Sequence, residues 1–187
     1  MFLAGSIAGC DREKAGGGQA GEGQANVSPG QAKGLGQFEY MIDRSHKGKT
    51  APTVAFRGPD DTPVTLADFR GRPLLVNLWA TWCAPCVAEM PTLDALAANS
   101  GERMMVIAVA QDLQGAAVVD PWFQKAELKA LQPYLDPQNG LLDAYNSALP
   151  TSIYYDAEGR ELWRVVGAID WQGKEAQALL AEANKAN

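Results

Sequence analysis

The chain has 187 residues, 47% of them hydrophobic and 20% charged, with a formal net charge of −6, the profile of about one globular domain. Its 16 Lys and Arg are scattered rather than gathered on a basic face, so no nucleic acid partner is expected. One histidine excludes a multi-histidine zinc site, three cysteines exclude a disulfide-stapled scaffold, and no apolar run approaches the roughly 18 residues of a membrane span.

The chain begins with a short apolar stretch, residues 1–10, that ends Ile7-Ala8-Gly9-Cys10. A small residue before cysteine resembles the bacterial lipobox, which implies lipidation of Cys10 as the first residue of the mature chain. Asp11 beside it resembles an inner-membrane retention signal of some Gram-negative bacteria. Residues 1–36 hold 10 of the 19 glycines and no Trp or Tyr. Such a composition cannot bury enough apolar surface to offset its ordering entropy. Residues 11–36 are therefore expected to be a Gly/Gln-rich tether, with an end-to-end distance of about 25–30 Å. The folded domain is expected over 37–187, whose segment from residue 50 onward carries 10 basic and 17 acidic side chains and all five tryptophans.

Phe38 to Lys47 predicts a short amphipathic helix at the domain edge, and Val54-Ala55-Phe56 a short strand. Asp60 to Pro63 predicts a turn, and Leu66 to Phe69 a helical turn closed by Gly71. Leu74 to Ala80 is a continuous apolar run, the pattern of a strand buried on both faces. A helix follows over about 84–98, with Val87, Met90, Leu93, Leu96 and Ala97 on one stripe and Pro91 predicting a kink. Met104 to Ala110 predicts a second buried strand. A helix is expected over 115–130, broken or restarted at Pro121. Tyr134 to Asp136 predicts a third short strand, and Leu141 to Tyr145 a short helix. Ser152 to Asp156 and Glu161 to Val166 flank the polar turn Ala157-Glu158-Gly159-Arg160, a hairpin signal. A last helix is expected over 171–185, anchored by Trp171, Ala178, Leu179 and Leu180. The order predicts an α/β fold, a mixed central sheet with helices on both faces.

The chemistry lies in Trp82-Cys83-Ala84-Pro85-Cys86. A CxxC pair opening a helix after a buried strand puts both sulfurs on the first turn. Unpaired backbone N–H groups and the helix dipole there favour an anion, which lowers the Cys83 pKa below the free thiol value of about 8.5. Cys83 is expected to be the exposed nucleophile and Cys86 the more buried resolving thiol, cycling as a Cys83–Cys86 disulfide. A zinc half-site would need a second ligand pair, and a c-type haem site would need His where Val87 stands. Neither metal nor cofactor is expected. Two other classes stay open: a thiol peroxidase on the same fold, read by peroxide consumption, and a non-enzymatic copper-carrying module, read by copper titration of the reduced domain.

The run Pro73-Leu74-Leu75-Val76-Asn77-Leu78-Trp79-Ala80-Thr81-Trp82-Cys83-Ala84-Pro85-Cys86-Val87-Ala88-Glu89-Met90-Pro91 resembles the thioredoxin-fold proteins of the TlpA/ResA group. So do Thr65 to Gly71 before it, Leu149-Pro150-Thr151-Ser152, and Asp156 to Glu161. Together they cover about residues 50–183. The resemblance implies a thioredoxin-like fold and thiol:disulfide oxidoreductase activity. It implies a cis peptide before Pro150, in a loop beside the sulfurs where Leu149, Pro150 and Thr151 bind the substrate chain by strand addition. It implies that Glu89, one turn past Cys86, tunes the cysteines; a carboxylate there is able to shuttle the Cys86 proton, and the base role falls to Glu89 or to water. Asn77 stands where thioredoxin has a buried acid, and is read here as a polar spacer in the strand. Trp82 is expected to be a partly exposed lid that contacts partners, and Trp79 a core residue. His46 is given no role.

Ala84-Pro85 is close to the dipeptides of reducing members, and the His of strong oxidants is absent. The expectation is a reductase at the periplasmic face of the bacterial inner membrane, held by a lipid or signal anchor. A membrane electron donor of the DsbD/CcdA type would keep it reduced. Its implied clients belong to respiratory-chain assembly: a Sco-type copper chaperone, a copper-binding oxidase subunit, or apocytochrome c.

Overall fold

The computed structural model describes Leu35 and residues 38–186. The leader segment with Cys10, and the tether except Leu35, lie outside the described residues. In chain order the strands are β1 (Tyr40–Asp43), β2 (Phe56–Arg57), β3 (Pro63–Val64), β4 (Leu74–Trp79), β5 (Met105–Ala110), β6 (Pro133–Leu135), β7 (Thr151–Tyr155) and β8 (Glu161–Gly167). The helices are α1 (Ala84–Ser100), α2 (Ala116–Ala126), α3 (Gly140–Tyr145) and α4 (Lys174–Ala186), with a 3-10 turn at Leu66–Phe69.

The eight strands form one sheet in the order β1-β8-β7-β4-β5-β6-β2-β3. The apolar run at β4 explains its place at the centre: all six residues are buried, so each face needs a cover. β4 pairs in parallel with β5 and antiparallel with β7. Its side chains alternate between two cores. Leu75 and Trp79 pack with Met90 and Leu93 of α1, Val119 of α2 and Leu179 of α4. Leu74, Val76 and Leu78 pack with Leu66 of the 3-10 turn and with Leu141 and Tyr145 of α3. The result is the expected mixed α/β sheet with helices on both faces.

The edge at β1 corrects the reading of Phe38 to Lys47. No helix forms there. Tyr40–Asp43 is a strand antiparallel to β8, with Tyr40 opposite Gly167 and Asp43 opposite Arg164. Tyr40 is buried and Ile42 packs on the same core, a period of two that a short segment shares with a helical pattern. Gly167 makes the close approach workable: it has φ +101°, and a Cβ there would stand 2.2 Å from Glu39 O. The Tyr40 hydroxyl also donates to Glu175 of α4.

Other boundaries moved for identifiable reasons. The strand expected at Val54 to Phe56 is Phe56–Arg57, and Pro63, taken as the end of a turn, opens β3 and pairs with Arg57. α1 runs unbroken through Pro91, and α2 through Pro121. α2 ends at Ala126 rather than 130, because the N–H groups of Lys129, Ala130 and Leu131 all donate to the Asp94 carboxylate on α1. α4 starts at Lys174, not Trp171. The segment before it is a turn in which Gly173 N–H donates to Asp170 O and Gln172 N–H to Asp170 Oδ1.

Candidate active site at the Cys83–Cys86 disulfide

β4 delivers the chain to the first turn of α1. Cys83 is the residue that caps this helix: it has extended φ and ψ, and its Sγ accepts the Cys86 N–H at 3.3 Å. Pro85 lies within the first turn, where no N–H is needed. The two sulfurs are bonded, with Cα atoms 5.2 Å apart. The predicted order of exposure holds, but the predicted openness does not. Cys83 is only 6% exposed and Cys86 0%. The sulfur that caps the helix is turned back over the first turn, toward the Cys86 N–H. Trp82 beside it is 69% exposed, and Trp79 is fully buried against Trp122 and Phe123.

The peptide before Pro150 is cis. The last pair of β4 with β7 is Leu78 with Thr151. Leu149 and Pro150 therefore come level with Trp79 and Ala80, at the strand end that leads into the CxxC turn. Pro150 O accepts the Gly167 N–H at 2.8 Å, and Thr151 Oγ1 donates to Ala148 O at 2.6 Å. The first ties the loop to β8, and the second closes it on itself. Leu149 is half-buried and touches both cores.

Glu89 is fully buried on α1, three residues past Cys86. Its Oε1 accepts from Asn77 Nδ2 at 2.6 Å, and its Oε2 accepts the Ile169 N–H at 3.1 Å. Burial pushes its carboxyl up to about 8, against the pull of Asn77, Ile169 N–H and the Trp171 indole. No charged group helps it ionise. A carboxyl held near neutrality in a dry site can both take and give a proton. Asn77 is therefore more than the spacer expected: its amide also donates to Ser152 Oγ at 2.9 Å and links β4, β7 and α1.

Two further parts of the site lay outside the sequence reading. Asp112, 1% exposed just beyond β5, accepts both the Thr81 N–H at 3.0 Å and the Thr81 hydroxyl at 2.6 Å. It ties the loop carrying Cys83 to the end of the neighbouring strand. The available signal was an acidic residue directly after a buried parallel strand, where strand ends gather functional groups. Thr92 is the other part: its Oγ1 accepts the Trp171 N–H at 3.2 Å, so the loop after β8 is fastened over Glu89.

The family model described as Redoxin matches residues 46–180. The chain belongs to the Redoxin family. It is 34% identical over 152 residues to the thiol:disulfide interchange protein DsbE of Pseudomonas fluorescens, covering 76% of this chain and 80% of that one. It is 30% identical over 141 residues to the thiol-disulfide oxidoreductase ResA of Bacillus cereus, covering 73% and 80%. Among solved structures, a Chlorobium tepidum chain assigned as DsbE superposes with a TM-score of 0.66 at 24% identity, over 74% of this chain and 97% of that one. The pneumococcal exposed lipoprotein thioredoxin Etrx1 does so with 0.56 at 25% identity, over 69% and 97%. This oxidoreductase thus has a thioredoxin-like fold and is a thiol:disulfide oxidoreductase of the TlpA/ResA type.

Proposed function

We propose that this oxidoreductase is an anchored, extracytoplasmic reductase of protein disulfides, with Cys83 as nucleophile, Cys86 as resolving thiol and Glu89 as proton acceptor. The observation that carries the reading is the buried Glu89 carboxyl one turn past a buried Cys86, with Cys83 as the outer sulfur at the helix start.

In the reduced form the Cys83 thiolate attacks one sulfur of a client disulfide. A Cys83–client bond forms, and the other client sulfur leaves as a thiolate that takes a proton from water. The Cys86 thiol then gives its proton to the Glu89 carboxylate. The Cys86 thiolate attacks Cys83 Sγ, the Cys83–Cys86 bond closes, and the second client sulfur leaves. The client gains two electrons and the protein loses two. A membrane dithiol donor of the DsbD/CcdA kind reopens the bond. During the exchange Trp82 flanks the client sulfur, and the Leu149-Pro150-Thr151 segment aligns its backbone.

Anchoring rests on Cys10 and on the likeness to Etrx1, an exposed lipoprotein. No helix among the described residues is long and apolar enough to cross a membrane. The client class we favour is the cysteine pair of a copper-site protein, namely a Sco-type chaperone or an oxidase subunit, or of apocytochrome c. Glutathione titration of the Cys83–Cys86 couple tests the direction. A potential near thioredoxin's, about −270 mV, is the expected result, and one near DsbA's, about −120 mV, would make the protein an oxidant.

A further inference from the structure

The side chain of Asn77 is fully buried yet used at one end only. Its Nδ2 donates to Glu89 Oε1 and to Ser152 Oγ. Its Oδ1 accepts from no donor among the described residues. The other Glu89 oxygen is held by the Ile169 N–H. Every partner of Glu89 is thus a donor, an arrangement that suits an ionised carboxylate, which only accepts.

A protonated Glu89 does not fit it. A proton on Oε2 would point at a backbone N–H that cannot turn. A proton on Oε1 would point at the Asn77 amide nitrogen, and that group can turn. The oxygen and the NH2 of an amide have nearly the same shape, so a half-turn exchanges them within the same space. The oxygen would then stand where Nδ2 stood. It would accept from Glu89 Oε1–H and from the Ser152 hydroxyl, which can donate as readily as it accepts. One end of the amide stays unpaired in either setting, so the proton on Glu89 decides between them.

We propose that Asn77 is a positioning residue whose side-chain amide reverses when Glu89 takes up the proton released by Cys86. The idea rests on the reading of Glu89 as proton acceptor. Glu89 is faced by Asn77 on β4 and by the Ile169 N–H and Trp171 indole from the loop after β8, Ser152 on β7 is joined to it through Asn77, and Cys86 lies one turn back on its own helix. A residue that presents a donor or an acceptor at one point serves both forms of the carboxyl without moving the backbone. An Asp at 77 would instead set a second carboxylate against the first, and a Leu would offer neither partner.

The test is an NMR titration of the oxidised full chain, with labelled Asn side-chain amides and Glu carboxyl carbons, between pH 5.5 and 9.5. The Asn77 amide signals and the Glu89 carboxyl signal are expected to shift with one common midpoint. The contacts of the Asn77 amide protons with Ser152 and Glu89 are expected above that midpoint and lost below it. Glu89→Gln supplies a permanent stand-in for the protonated form. Its carbonyl must take the Ile169 N–H, so its NH2 faces position 77. In that variant the Asn77 signals are expected to match the low-pH wild type at every pH. Asn77 signals that ignore the Glu89 midpoint, or that match the high-pH wild type in Glu89→Gln, would overturn the proposal. Neither readout uses exchange activity, so a failure of Glu89 as proton acceptor is recognised separately, by an unchanged pH profile of exchange in Glu89→Gln.

Discussion

Glu89 concentrates the cost and the use of the site in one side chain. Burial raises its carboxyl from an ordinary 4.5 to about 8, so the folded chain binds a proton there that the unfolded chain has lost over this range. Stability therefore falls as pH rises from about 4.5 to about 8, by about 1.4 kcal/mol per unit at the steepest. Above pH 8 both states are ionised and the loss is complete. Glu89→Gln keeps the shape and removes the ionisation. Urea unfolding at pH 5, 7 and 9 should show the variant gaining on the wild type with each step upward. Equal slopes for the two would mean that the carboxyl is not held neutral by its surroundings.

At the scale of elements, the strand ends make the site. β4 and β5 run in parallel and finish side by side, and the Thr81–Asp112 bonds lock the two exits together just before Cys83. Asp112→Ala leaves the half-buried Thr81 donors without their acceptor. The expected costs are about 2–3 kcal/mol of stability by urea unfolding and a slower reduction of insulin. Asp112→Asn, which can still accept one of the two bonds, should fall between. If Asp112→Ala reduces insulin at the wild-type rate, the tie is not part of what positions Cys83. Element boundaries were legible where periodicity spoke alone, as along Leu74 to Ala80. They were not legible where a distant partner decides. β1 exists because β8 receives it over Gly167, and α2 stops because Asp94 on another helix collects the N–H groups of Lys129, Ala130 and Leu131 just beyond its end.

Over the whole molecule, one mixed sheet separates two apolar cores and presents the disulfide at the end of its central strand. The CxxC turn and its place after a buried strand were readable from local order, because strand, turn and helix start are contiguous in sequence. The polar network beneath was not. Asn77 meets Ser152 across 75 residues and Glu89 meets Ile169 across 80, and no local pattern encodes such pairs. The buried pair of Arg164 and Glu161 lies within β8, three residues apart, but its tie to α3, the Arg164 guanidinium donating to Tyr145 O, spans 19 residues and was hidden in the same way. Proton transfer from Cys86 to Glu89 is the step on which the proposed cycle turns. Its most direct test is single-turnover reduction of a client disulfide by the reduced protein, followed from pH 5.5 to 9.5 in wild type and Glu89→Gln. Closure of the Cys83–Cys86 bond is expected to quicken in the wild type as Glu89 ionises, and Glu89→Gln to slow this step about a hundredfold at neutral pH. Superimposable profiles for the two proteins would contradict it.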